Sequence, residues 1–267
     1  MRILYTGVVL LSCALGAQAA DEAPTAQRPI DHGKLAGVWV RARTPGGLRA
    51  FREIEQFLGF QLGGPGQTGV IIVPSVPPLR QPYLTQWQAH EVARHEADLR
   101  GQPFNDEHSQ CMPDGMPSMM MGMFPMEVLQ APGEIAIVEE AYRQIRHIYL
   151  NQKQIPVSDA EPEFWGHSVG HWQGDTLIVN TVGIKDSVRL EDVPHSDQMQ
   201  IDERIRLLSP DRYQDAITVS DPAYLVHPWS FTWTYQRDPG YKLLEYVCED
   251  NRDDQGGAHQ SLKLFGN

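Results

Sequence analysis

The sequence predicts a mainly β protein, an antiparallel meander closed into a barrel, with one helix at about 85–99. Three observations lead there. From Met126 onward, stretches that alternate or run apolar recur at 134–139, 143–150, 165–172, 176–184, 199–208, 213–220, 229–236 and 241–249, with turn residues between them. Eight successive strands on short connections favour a meander that closes or curls strongly. Gly174-Asp175 lies between two β-type runs and suits a two-residue hairpin turn, where glycine adopts positive φ at little cost. With 41% hydrophobic and 21% charged residues, the 267-residue chain has apolar material for a core and no disorder signature.

Taken in order, the chain opens with Arg2, an apolar run from Ile3 to Leu15 and the small-x-small pattern Ala17-Gln18-Ala19. Residues 1–19 therefore read as a secretory signal peptide and 20–33, with Pro24 and Pro29, as a flexible lead-in; 34–267 is expected to form a single barrel domain. The apolar run is too short to span a bilayer and no later stretch reaches about 20 apolar residues, so no membrane insertion is expected. The expected location is periplasmic or secreted. A net charge of −12 disfavours nucleic acid as a partner. Apart from Cys13 in the leader, Cys111 and Cys248 remain, a candidate disulfide in an oxidising compartment.

Leu35 to Val40 gives a Gly-x-Trp strand start. Residues 48–62 fit helix or strand, and Val70-Ile71-Ile72-Val73 is a short strand candidate stopped by Pro74. The helix at 85–99 has Thr85 as its N-cap and Trp87, Val92 and Leu99 as apolar positions. His90 and His95, five apart, share no face and read as surface residues. Residues 112–126 hold seven methionines. They either plug one end of a core, as flexible side chains do, or offer thioethers to Cu(I).

Period-two sorting assigns side chains to the two faces of each strand. Glu203 is the one acid on the face of Met199, Ile201, Ile205 and Leu207; Asp215 falls with Tyr213, Ile217 and Val219, and Glu245 with Tyr241, Leu243 and Val247. An inward acid needs a partner, for which Arg143 and Arg146 are available. His167 and His171 share a strand face but lie about 13 Å apart at ~3.3 Å per residue, too far to chelate one ion. A two-residue turn at Gly174-Asp175 pairs His171 with Ile178 and Val169 with Asn180, so Trp165, His167, Val169, His171 and Asn180 form one face, expected to wall a pocket. His195 sits in a Pro-led loop beside Ser196-Asp197 and just before the strand of Glu203, a context for general acid/base work or for simple turn capping.

The run from Trp165 to Gly183, His195-Ser196-Asp197 leading into Asp202-Glu203-Arg204, and Cys111-x-Pro-x-Gly-Met-Pro resemble a family of exported bacterial hypothetical proteins of sphingomonad and acidobacterial type. The Arg-x-Ile-Tyr strand ending at Tyr149 and the segment from Glu245 to Asn251 fit it too, so the resemblance spans roughly 110–252 and implies no named reaction. The hairpin is also similar to calycin-like barrels, an analogy of fold alone.

The expected function is a small-molecule enzyme in a barrel pocket, using His and carboxylate acid/base chemistry without a redox cofactor, a lyase, isomerase or hydrolase. Its catalytic residues would be His195, Glu203, His167 and Asp197, with His171, Asn180, Trp165, Tyr149, Glu245 and Trp233 lining the substrate. No Gly-rich phosphate loop, Cys-x-x-Cys or Gly-x-Ser-x-Gly elbow is present. The alternatives are a carrier of a small apolar ligand and a copper-binding protein.

Overall fold

In a computed structural model, nine strands close into one barrel in chain order, with β9 returning to pair with β1. Residues 35–42, 47–61, 73–102, 111–121 and 124–247 are described, all within the unit Asp31–Asn267. The expected leader and lead-in lie outside them. The strands are β1 (Gly37–Arg41), β2 (Met126–Ala131), β3 (Glu134–Glu139), β4 (Ile145–Leu150), β5 (His167–Gln173), β6 (Thr176–Val182), β7 (Gln200–Ser209), β8 (Arg212–Ser220) and β9 (Trp229–Arg237). Every neighbouring pair is antiparallel except β4 and β5, which run parallel over Ile148↔Ser168 to Leu150↔Gly170. The barrel is thus mixed rather than a pure meander, because residues 151–166 cross over before β5 begins.

Closure rests on Trp39. Its position in β1 pairs with Arg237 on one side and Met126 on the other. Its ring is fully buried, edge-on to Tyr213 at 4.7 Å, with the Arg237 guanidinium 4.1 Å above it. Much of the methionine run packs as core: Met116, Met119 and Met120 are fully buried around the 3-10 turn Ser118–Met121, whereas Met112 is exposed. Arg41 Nη1 donates to the Met121 carbonyl at 3.0 Å and Tyr235 donates its hydroxyl to that of Met120, so this segment is bonded to residues at the closing seam.

Two helices flank the barrel where one was expected. The ambiguous 48–62 region is helix α1 (Gly47–Leu58), with Ile54 and Leu58 buried. Helix α2 (Tyr83–Leu99) begins two residues before Thr85, which is not its cap; Thr85 Oγ1 donates instead to Gln81 Oε1 at 2.8 Å. Residues 241–247, expected as a strand, form none: Tyr241 and the Leu244 amide both bond to Glu140 Oε2, and Leu244 is exposed. β2 falls at the start of the strand-rich stretch from Met126, ahead of the first run delimited within it at 134–139. Of the 70–73 candidate only Val73 is described, buried and outside any strand.

The hairpin register agrees with expectation. His171 faces Ile178 and Val169 faces Asn180 across the Gly174-Asp175 turn. Gly166 enters this hairpin at φ 64°, where a Cβ would stand 2.5 Å from the Val182 carbonyl oxygen and 2.9 Å from Ile184 Cγ1. Gly174 has φ 61° and nothing within 4 Å of its Cβ position. Gly166→Ala should therefore cost about 3 kcal/mol from backbone strain plus overpacking, and Gly174→Ala only about 1 kcal/mol from the left-handed backbone. Urea unfolding midpoints measure both; equal losses would contradict the close approach at Gly166.

Candidate functional site

Alternation along the neighbouring strands β7, β8 and β9 and along β4 assembles a polar cluster inside the barrel. On β4, Arg146 and Ile148 point inward while Ile145 and His147 are exposed. On β7 the inward set is Ile201, Glu203 and Ile205; on β8 it is Tyr213, Asp215, Ile217 and Val219. β9 adds Trp233 and Tyr235, opposite Asp215 and Tyr213 respectively.

Arg146 and Glu203 form the centre of the cluster, both with no exposed side-chain surface. Arg146 Nη1 donates to Glu203 Oε1 at 2.8 Å while Nη2 bonds Oε2, a two-pronged pairing. Nη2 also reaches Thr181 Oγ1 at 2.9 Å and Ser168 Oγ at 3.1 Å, and Nε reaches the same Ser168 oxygen at 3.2 Å. Burial pulls the guanidinium pKa down, but the Glu203 charge and hydrogen bonds outweigh it and the net shift is upward.

Around this pair stand groups that lack partners. Among the described residues, Asp215 Oδ1 and Oδ2, the Tyr213 hydroxyl and Trp233 Nε1 are buried without a hydrogen bond. Burial, and then the neighbouring Glu203 charge, push the Asp215 carboxyl well above the usual carboxylate range, with Arg146 opposing. Two carboxylates can only accept, so contact between Asp215 and Glu203 becomes a hydrogen bond when Asp215 carries a proton. Burial also raises the Tyr213 and Tyr235 hydroxyls, helped at Tyr213 by Asp215 and Glu203. The cluster thus combines a carboxyl driven toward its proton-donating form with a carboxylate held by arginine.

Of the residues expected to act, Glu203 and Trp233 lie in this interior and the histidines do not. His195 is buried in the loop before β7, its Nε2 2.6 Å from the Val188 carbonyl and its Nδ1 2.8 Å from that of Ser196. Both ring nitrogens are engaged by backbone, while Glu203 is engaged by Arg146. A cavity of about 20 Å³ beside His195, bounded by Pro194, Met199, Leu225 and Trp229, has room for about one water. Asp197 is exposed; the carboxylate that orders this loop is Asp221, which accepts from the Ser196 amide at 2.6 Å, from its hydroxyl at 2.9 Å and from the amides of Ala223 and Tyr224.

His167, His171 and Asn180 lie on the outer face of the hairpin, not on the pocket wall. Inside are Ser168, Gly170, Leu177, Val179 and Thr181, because Arg146 requires the Ser168 and Thr181 hydroxyls. His167 stacks on Tyr149 at 5.5 Å on that outer face, His171 is exposed, and Asn180 donates to Asp202 at 2.8 Å. Trp165 is half-buried beside Gln144, its Nε1 3.3 Å from Gln144 Oε1. Glu245 is exposed and pairs with Arg143 at 2.6 Å rather than facing inward. Cys248, the expected disulfide partner of Cys111, lies outside the described residues. Tyr213, Tyr235, Ser168 and Thr181 are interior residues not singled out from sequence; for Tyr213, its place two before Asp215 on one strand face was the available signal.

Neither the protein-family models nor the curated proteins include a match to the chain.

Two outcomes follow from this interior. Arg146→Met leaves a buried unpaired carboxylate and should cost about 3–5 kcal/mol, whereas Arg146→Met with Glu203→Leu should recover most of it; urea unfolding of the three proteins gives the comparison. Because the folded-state pKa of Asp215 lies above its unfolded value near 3.9, the folded state holds the extra proton. Its contribution to stability is complete below about pH 4 and is lost as pH rises through the folded pKa. Asp215→Asn should thus gain on wild type as pH climbs from 4 to 8, and a constant difference in unfolding midpoint would refute the shift.

Proposed function

We propose that the chain is a small-molecule enzyme acting in the barrel interior, a lyase or isomerase that moves a proton beside a carbonyl group. One observation supports this reading above the rest: the Tyr213 hydroxyl and the Trp233 indole N–H are buried on neighbouring strands with no hydrogen-bond partner among the described residues, beside an Asp215 carboxyl whose one neighbour of this kind is Glu203. Buried polar groups are satisfied in the great majority of cases. A substrate oxygen would satisfy these.

Protonated Asp215, the phenol and the indole are all donors, and in a dry site such donors polarise a carbonyl and stabilise the charge that develops on its oxygen. Asp215 is the proton donor. Glu203 is the neighbouring carboxylate that takes up a proton, and Arg146 positions it. Trp39, Tyr235 and Met126 supply an apolar wall for a partly apolar substrate. His195 and His167 have no part in this reading, since one is held by two carbonyls and the other lies outside the barrel. The leader pattern at 1–19 supports a periplasmic or secreted location, with Cys111 and Cys248 as the proposed disulfide. The second reading, a carrier without turnover, draws on the same apolar wall.

The test uses the purified full chain and a panel of small cyclic ketones, enones and lactones. Compounds that raise the melting temperature are followed by proton NMR in D2O. The expected result is binding with deuterium entering next to the carbonyl, and exchange reduced at least 100-fold in Asp215→Asn with binding retained. Binding without exchange selects the carrier; exchange unaffected by Asp215→Asn removes Asp215 from the chemistry.

A further inference from the structure

Away from the barrel interior, α2 meets the loop between β6 and β7 at a second constellation. His90 and Glu91 are consecutive on α2, and Asp192 comes from a residue pair, Glu191 and Asp192, with φ 48° and 61°. The loop is held there by the Trp87 indole, which donates to the Glu191 carbonyl at 3.1 Å, and by the Leu190↔Val193 bridge. Helical neighbours diverge by about 100°. Here the far loop supplies a third group and the three meet.

His90 Nδ1 lies 3.6 Å from Glu91 Oε1 and 3.7 Å from Asp192 Oδ2, and the three ligand atoms all lie within 4.8 Å of one another. These separations are too long for hydrogen bonds, which close at about 2.7–3.2 Å. They approach what one ion imposes on its ligands, since metal–ligand bonds of about 2.0–2.1 Å in a tetrahedron put the ligand atoms roughly 3.3 Å apart.

Glu91 adds an independent observation. Its side chain is fully buried, and Oε1, the oxygen facing this point, has no hydrogen bond. Its other oxygen accepts from Arg94 Nη2 at 2.6 Å, the kind of outer contact that orients a ligating carboxylate. Arg94 also stands 3.9 Å from Glu191. Two carboxylates thus pair with one guanidinium, and Asp192 adds a third carboxylate beside the imidazole.

We infer that His90, Glu91 and Asp192 form a binding site for a divalent transition-metal ion, with zinc the best fit. One imidazole and two carboxylates are hard-to-borderline donors that suit Zn2+, and a three-residue set leaves a fourth position for water. Among the three, His90 is partly exposed and opens that side to solvent. A bound ion ties α2 to the loop that leads into β7. The site is separate from the Asp215 and Glu203 cluster and does not depend on the reaction proposed there.

Untagged full-length protein, stripped with EDTA and dialysed, is titrated with Zn2+ against a chromogenic chelator, and separately with Co2+ while visible absorption is recorded. The expected result is one zinc ion per chain, a rise in melting temperature, and cobalt bands of low coordination number. His90→Gln and Asp192→Asn should each weaken zinc binding about 10- to 100-fold, while His95→Ala, whose ring stacks on Phe60, leaves it unchanged. His90→Gln alters a partly exposed position, and its circular dichroism confirms that the fold survives. Zinc weaker than 100 µM in wild type, or binding unchanged in both His90→Gln and Asp192→Asn, overturns the site.

Discussion

Arg146 makes demands that four strands must meet together. Its guanidinium, buried with no exposed surface, bonds Ser168 on β5, Thr181 on β6 and both oxygens of Glu203 on β7 while itself standing on β4. A buried cation left short of acceptors is strongly unfavourable. The β4–β5 junction is the only parallel one among the nine strands and is paired over three residues, so the Ser168 and Thr181 bonds brace a seam with little backbone support. Desolvating such a pair offsets much of its Coulomb attraction. Its main effect is on which closure forms and on the field inside it.

That field explains the neighbours. Asp215 is one strand away from Glu203 in a dry interior, and a second negative charge there is opposed by burial and by repulsion. The dryness depends on the ends of the barrel. Trp39, Tyr213 and Tyr235 pack ring on ring at the closing seam, with Tyr213 and Tyr235 stacked at 4.3 Å. Tyr235 and Arg41 then bond the carbonyls of Met120 and Met121, which holds the methionine segment in place. The apolar packing and the perturbed acid therefore have one cause.

Much of this was legible in the chain. Strand positions from 134 onward, the hairpin register and the inward placement of Glu203 and Asp215 all follow from period-two alternation and turn chemistry. The face of the hairpin did not follow. Sequence sorting put His167, Val169, His171 and Asn180 on one face and read that face as the wall of a pocket. The actual inner face is set by the acceptors that Arg146 needs from another strand, and alternation within one strand carries no information about that. The strand expected at 241–249 is missing from its described part, 241–247, for a related reason: an alternating segment forms a strand only when an edge is free, and β1 already pairs with both β2 and β9.

His90 shows the same limit on the helices. Spacing along the chain compared it with His95 and placed both on the surface, while its real neighbours are Glu91 and a carboxylate about 100 residues on. By itself the sequence determined the mainly β class, most strand positions, the tight turn and the burial of Glu203 and Asp215, because these depend on local pattern and on turn geometry. Only the tertiary structure decided the parallel junction, the inner face of the hairpin, the partners of Glu203 and His195 and the meeting of α2 with Asp192. Those depend on which residues far apart in the chain satisfy one another's hydrogen bonds and charge, a quantity that closure of the barrel creates.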